Sequence, residues 1–262
     1  MDDYLKANKD RWDKLTSVHA NSKYYDIEGF KNGKSNLMPL EIKEVGDVKD
    51  KTLLHLQCHF GMGTLSWVRE GAIATGVDLS EESINLAKQL SKDINAPANF
   101  ICSDIYDLPN VLNEKFDVVF TSYGVLCWLP DLKKWAKVIS HFLKPGGIFY
   151  IVEDHPFMNI FDENFKINPS YFSKEPNIQE STGSYADRKS GVKTKSYQWS
   201  HPVSEIINSL VDEGLKIEFL HEFPLSGWEP FPGMMERDDD GWYRFKDKNT
   251  EIPLLFSLKA KS

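Results

Sequence analysis

From residue 52 onward, short apolar runs alternate with amphipathic ones. Residues 52–56 (TLLHL), 73–78 (IATGVD), 99–104 (NFICSD), 116–122 (FDVVFTS) and 148–153 (IFYIVE) are bounded by turn formers and read as strands. The run 116–122 is nearly all apolar and rich in branched side chains, which predicts a central strand covered on both faces. Between these runs the apolar spacing changes. Residues 64–70 predict a helix that ends at Gly71, and 81–95 predict a helix capped by Ser80, with Glu81 and Glu82 at its positive end. Asp131 caps a third, where Leu132, Trp135, Val138, Ile139 and Phe142 recur at helical spacing until Pro145-Gly146-Gly147 stops the pattern.

Strands alternating with helices at this pace predict parallel βαβ units and an open, doubly wound α/β sheet. Residues 156–200 break the pattern and hold many aromatics, among them Phe157, Phe161, Tyr185, Tyr197 and Trp199. A structureless loop of that length is uncommon in a compact domain, so the segment reads as an inserted lid with a few antiparallel strands. Pro202 then opens an amphipathic helix carrying Val203, Ile206, Ile207 and Leu210. Two strands, 215–223 and 253–260, follow with no helix between them, which predicts antiparallel pairing at the sheet's end. Residues 1–51 read as a helical arm bearing Tyr4, Trp12, Tyr24 and Tyr25. The expected organisation is one domain over 1–262: arm 1–51, core 52–155, lid 156–200 and sheet-completing part 201–262.

Composition narrows the function. Hydrophobic residues form 41% of the chain, sufficient for a large core, yet no run of about 18 apolar residues appears, so no membrane span is expected. The net charge of −8 and the scattered lysines disfavour a nucleic-acid partner. Three cysteines without paired spacing, and an N-terminus lacking an apolar signal region, fit a reducing cytoplasm.

The chemistry gathers at LLHLQCHFGMG, residues 53–63, a strand running into a loop. In open α/β sheets the ligand lies beyond the strands' C-terminal ends, where the next helix presents backbone N–H groups. Gly61 and Gly63 allow close approach of backbone to ligand. Asp78 ends the second strand, placed for both ribose hydroxyls of an adenosine; Asp104 ends the third, placed for an adenine amine with Ile105 against the ring. A metal site at His55, Cys58 and His59 is not expected: strand alternation sends neighbouring side chains to opposite faces, and no second ligand cluster is near in sequence.

The ordered series LHLQCHFG, GVDLS, CSDI, FDVVFTS and LKPGG resembles the motifs of class I S-adenosylmethionine-dependent methyltransferases over about residues 52–153. The resemblance implies a Rossmann-like seven-stranded sheet, mostly parallel with a C-terminal antiparallel strand, and S-adenosylmethionine as cofactor. It implies cofactor contacts at His55, Gln57, Cys58, Gly61, Asp78, Leu79, Asp104, Ile105 and Thr121, with Tyr25 of the arm as a cover. The family's acid-x-Gly-x-Gly-x-Gly loop is altered here: His55 stands for the acid, Gln57 and His59 for the first two glycines, and Gly61 matches the third.

Methyl transfer is an in-line displacement whose activation resides in the cofactor, so no nucleophilic triad is required and none is visible. Glu153 and His155, in the EDHP run after the fifth strand, are the candidates for proton transfer; the alternative for His155 is a strand-end cap before Pro156. The expected acceptor is a small molecule. An NAD(P)-dependent oxidoreductase is a rival, but the register Gly61-Met62-Gly63-Thr64-Leu65-Ser66 lacks the last glycine of its fingerprint. A catalytically inactive, cofactor-binding regulatory protein is another, supported by the altered loop. The Asn/Asp-Pro-Pro-aromatic tetrapeptide of amino-methylating DNA enzymes is absent after 116–122, where TSYG stands.

Overall fold

The computed structural model describes residues 2–167 and 171–262, so part of the expected lid, 168–170, lies outside the described residues. The arm folds as three helices, α1 (Asp3–Ala20), α2 (Ile27–Lys31) and α3 (Pro39–Val45). The core then runs β1 (Thr52–Leu56), α4 (Met62–Arg69), β2 (Ile73–Asp78), α5 (Glu81–Asp93), β3 (Asn99–Cys102), β4 (Phe116–Ser122), α6 (Leu132–Phe142) and β5 (Leu143–Asp154). Next come a hairpin, β6 (Asn177–Thr182) and β7 (Lys193–Gln198), then α7 (Val203–Asp212) and β8 (Lys216–Phe223). A small hairpin, β9 (Met235–Arg237) with β10 (Tyr243–Phe245), precedes the final strand β11 (Leu255–Lys261).

The seven-stranded sheet has the order β3-β2-β1-β4-β5-β11-β8. Its first five strands are parallel, and β11 is antiparallel to both β5 and β8. The connection reverses direction between β1 and β4, which opens a crevice beyond their C-terminal ends. One sheet face is covered through Trp135, Phe142 and Phe149 with Ile206 and Leu210 of α7; the other buries Trp67, Phe120, Tyr150 and Trp242. Each such side chain contributes roughly 1.5–3 kcal/mol by leaving water. That double covering is why β1 and β4 read as continuous apolar runs.

Several boundaries differ from expectation. α4 begins at Met62, two residues early, because Gly61 takes the left-handed N-cap conformation. α5 ends at Asp93, and Asn95 beyond it is left-handed (φ 52°). β3 stops at Cys102, which leaves Asp104 in a turn. β5 starts at Leu143, where Leu143 pairs Phe116; a register shift across Pro145-Gly146-Gly147 precedes the regular ladder from Ile148.

The β6–β7 hairpin realises the expected antiparallel lid strands, and α1 is locked against it. Asn8 extends the strand's hydrogen bonding: its side chain donates to Tyr197 O and accepts from Tyr197 N, both at 2.9 Å. The Arg11 guanidinium donates to Ser181 Oγ at 2.8 Å and to Thr194 Oγ1. Arm and hairpin together roof the crevice.

Candidate functional site

The loop leaving β1 keeps its tight path without the usual glycines. Gln57 (φ 56°) and His59 (φ 51°) both adopt left-handed backbone, as does Gly61 (φ 79°). Non-glycine residues there cost on the order of 1 kcal/mol each. Glycine is obligatory only at 61, where a Cβ would sit 2.7 Å from Phe100 Cε1 and 2.9 Å from Ala87 Cβ. Cys58 N donates to Val77 O at 2.9 Å, and His59 N donates to Asp78 Oδ2 at 2.7 Å. Ser80 N donates to Asp78 Oδ1 at 2.9 Å. Ser80 Oγ accepts from Ser83 N as the α5 cap and donates to Asp13 Oδ1 of the arm at 2.7 Å.

The loop histidine has a defined tautomer. Phe60 N donates to His59 Nδ1 at 2.7 Å, so Nε2 carries the proton and donates to His19 Nδ1 at 2.9 Å. The two rings stack, and Trp12 meets His59 edge-on. Burial pushes His59 well below its ordinary pKa and His19 to about 4, so both stay neutral.

Beyond the strand ends lies a cavity of about 1050 Å³, bounded by the arm, the strand-end loops, the hairpin and the loop around Trp228. A single small-molecule site occupies ~300–1,000 Å³, so two small ligands fit side by side. Of the expected residues, His55, Gln57, Cys58, Gly61, Asp78, Leu79, Asp104, Ile105, Tyr25 and Glu153 line it. Thr121 and His155 do not. Thr121 is fully buried on the opposite side of the strand from Ser122, which does line the cavity. His155 turns away: its N donates to Leu254 O at 2.9 Å, its Nδ1 accepts from Phe157 N, and its Nε2 meets Glu222 Oε1 of β8 at 2.8 Å. These contacts make it a cap at the end of β5. Among the described residues no group of three or more His, Cys, Asp or Glu side chains is arranged to hold a metal ion.

The acids of the cavity are not equivalent. Glu153 accepts from four backbone N–H groups, those of Gly124, Val125 (2.8 Å), Leu126 (3.0 Å) and Asp154 (2.7 Å). Its burial pushes the carboxyl up and these donors pull it back, so Glu153 holds the charge of the adjacent pair. Burial and that neighbouring charge raise Asp154 to about 7. Burial raises Asp78 to about 6 and Glu41, in α3, to about 8. Asp104 is also raised by burial; its Oδ1 accepts from Tyr106 N at 3.1 Å.

Among the described residues two that line the cavity carry buried polar atoms without a protein partner, Gln57 Oε1 and Asp154 Oδ1, while the Tyr123 hydroxyl faces Glu41. Buried polar groups are ordinarily satisfied, so these atoms mark places for a polar ligand. The donor and acceptor set fits an adenosyl amino acid: acids at the ends of β2 and past β3, apolar Leu79 and Ile105 between them, and a free amide oxygen near the glycine loop. Sequence reasoning singled out the EDHP run but favoured the neighbours of Asp154, because a fully buried strand hides which residues face the cavity. Glu41 was not singled out; at the start of α3 Met38 N donates to Glu41 Oε2 at 2.6 Å.

Residues 54–151 match the family model of the methyltransferase domain. Ubiquinone biosynthesis O-methyltransferase of Serratia proteamaculans is 27% identical over 149 residues, covering 55% of this chain and 58% of that protein. The enzyme of the same name from Coxiella burnetii is 31% identical over 119 residues, covering 45% and 47%. The chain thus spans only about half the length of these curated relatives. Among solved structures, an S-adenosylmethionine-dependent methyltransferase from Clostridium acetobutylicum superposes with a TM-score of 0.58 at 17% identity, covering 97% of this chain and 98% of that one. Magnesium protoporphyrin IX methyltransferase from Synechocystis, solved with its S-adenosylmethionine bound, gives a TM-score of 0.53 at 14% identity over 100% and 98%. At such identities the likeness shows the fold. The domain match, the sheet order and the left-handed loop after β1 agree: residues 54–151 match a methyltransferase domain, and the chain carries the fold of S-adenosylmethionine-dependent methyltransferases.

Proposed function

We propose that this protein transfers a methyl group from S-adenosylmethionine to a small-molecule acceptor held in the roofed crevice. The observation that carries the reading is Asp78: an acid at the end of β2, tied to the His59 amide, in the wall of a cavity large enough for two ligands. The bound cofactor would supply the activated methyl group. Asp78 would receive the ribose hydroxyls, Asp104 the adenine amine, Leu79 and Ile105 the faces of the ring, and Gln57 Oε1 the amino-acid end. The backbone at Cys58 and Gly61 would line the same end, and Tyr25, stacked against His59 and His19, would close it. His55 is buried and neutral, with Nδ1 at 2.9 Å from Thr64 Oγ1, so it would brace the loop as a neutral hydrogen-bonding group. Neither Thr121 nor His155 reaches the cavity, and we assign them no contact there.

The roof supports a small acceptor, since helix α1 and the β6–β7 hairpin are tied together over the crevice through Asn8 and Arg11. The relatives named for ubiquinone biosynthesis point to small molecules as well. Arm, core, lid and closing strands all contribute to one cavity, which supports reading residues 1–262 as one working unit. No helix among the described residues is long and apolar enough to cross a membrane. Three unpaired cysteines support a reducing, cytoplasmic setting.

The test is calorimetric binding of S-adenosylhomocysteine, followed by transfer of labelled methyl from S-adenosylmethionine into a metabolite extract. Micromolar binding with label transfer is expected. No binding sinks the reading, and binding without transfer to any extract component would favour a regulatory binder.

A further inference from the structure

Resting on that reading, we propose that the methyl acceptor is a small organic amine, held as its cation in an aromatic pocket, with Asp154 as the base that takes its proton. The acceptor end of the cavity is built from Tyr24, Tyr123, Tyr185 and Trp228 around Asp154, with Glu41 beside Tyr123. Asp154 Oδ2 accepts from Trp228 Nε1 at 3.1 Å, while Oδ1 is inaccessible to solvent and has no partner. Among the described residues no lysine or arginine pairs with Asp154 or Glu41. The cations on the cavity wall, Lys34 and Arg237, are exposed; Lys34 pairs with Asp26 and Arg237 lies over Tyr243.

A half-buried carboxylate without a counter-ion, beside aromatic side chains, is complementary to an ammonium group. The same surroundings oppose the alternative. A phenol or carboxylic acid must approach as, or become, an oxyanion beside the carboxylates of Glu153 and Asp154, whose charge opposes it. Charge development also favours nitrogen. Asp154 accepts one proton from the ammonium, giving a neutral amine and a carboxylic acid. The nitrogen lone pair then forms the new C–N bond while the S–C bond breaks, its electron pair going to sulfur, and the positive charge arrives on nitrogen within the acidic pocket. The proton on Asp154 returns to solvent as product leaves. The groups facing Asp154 are Glu153, which accepts four backbone N–H groups, and Tyr24, Tyr185 and Cys127, all shifted upward and neutral; the Arg11 guanidinium beside Tyr185 and Cys127 is held by Ser181 and Thr194, so Asp154 is the acid among them that titrates near neutrality.

The test measures binding of benzylamine, benzyl alcohol and benzoate to the S-adenosylhomocysteine complex by calorimetry. Benzylamine is expected to bind at least tenfold tighter than benzyl alcohol, with affinity rising from pH 6 to pH 8 as Asp154 ionises. Asp154→Asn should abolish the preference and its pH dependence while S-adenosylhomocysteine affinity stays within twofold. Alcohol or benzoate binding as tightly as the amine, no preference among the three, or an unchanged preference in Asp154→Asn would overturn the proposal. Failure of S-adenosylhomocysteine itself to bind would instead remove the methyltransferase reading.

Discussion

Asp78 Oδ2 accepts the backbone N–H of His59 at 2.7 Å, so the end of β2 fixes the loop leaving β1. The residue that would read the ribose is also the residue that shapes the loop beside it. Asp78→Ala removes both roles and is expected to weaken S-adenosylhomocysteine binding by at least tenfold in calorimetry. Asp78→Asn keeps one acceptor for the His59 amide and should lose less. Equal affinity in the alanine variant would take Asp78 out of the site.

The three left-handed positions of the loop separate the glycine that is required from those that are replaceable. Gly61→Ala places a methyl group against Phe100 and Ala87 and forces an unfavourable φ, so a loss of about 2 kcal/mol or more is expected in urea unfolding. Gln57→Gly relieves strain but frees the unfolded chain by a similar amount, so stability should change by less than about 1 kcal/mol. Cofactor affinity should still fall in Gln57→Gly, because Oε1 is lost. Comparable destabilisation by the two substitutions would contradict this account.

Much of the sheet was legible because its strands are covered on both faces or bounded by glycine and proline. β1, β2 and β4 emerged with their observed limits, and caps at Ser80 and Asp131 formed as the side-chain chemistry predicts. The β9–β10 hairpin was not legible, since strands of three residues are too short to show a period. In the site, Asp78 and Asp104 could be located because strand ends face the crevice whatever the side chains do. Tyr123 and Asp154 could be placed at strand ends beside the crevice, but not ranked above their neighbours, and Glu41 could not be located at all. Their surroundings depend on three-dimensional closure, which adjacent residues in sequence do not encode.

Glu153 and His155 should behave as structural supports. In Glu153→Gln one carboxamide oxygen must replace two carboxylate oxygens that serve four N–H groups, and an NH2 faces donors. A loss of about 2–4 kcal/mol is expected, since unsatisfied buried donors cost ~1–3 kcal/mol each. His155→Ala should lower the unfolding midpoint while S-adenosylhomocysteine affinity remains within twofold. A selective loss of turnover in His155→Ala, at unchanged stability, would return that residue to the chemistry.

The buried ionisable groups set the pH profile of the unliganded protein. His55, at about 3, and His19, at about 4, lie below their unfolded value, so the stability they contribute is lost as pH falls below about 6.5 and is complete above it. Asp117, lowered to about 2 with Lys144 and Thr52 as partners, matters only in stronger acid. Asp154 and Glu41 have the opposite sign. Their folded values, about 7 and about 8, are raised above the unfolded ones, so their contribution is full in acid and lost as pH rises through those values. Between pH 6.5 and 8 the histidine contribution is flat and the acids dominate, so unfolding free energy should fall with pH. Each such group that is protonated when folded and ionised when unfolded contributes up to about 1.4 kcal/mol per pH unit. Glu41→Gln retains an acceptor for Met38 N and should remove most of one group's share of the slope. Urea titrations at pH 6.5 and 8 measure it directly; the same slope in wild type and Glu41→Gln would mean that Glu41 is ionised in the folded protein.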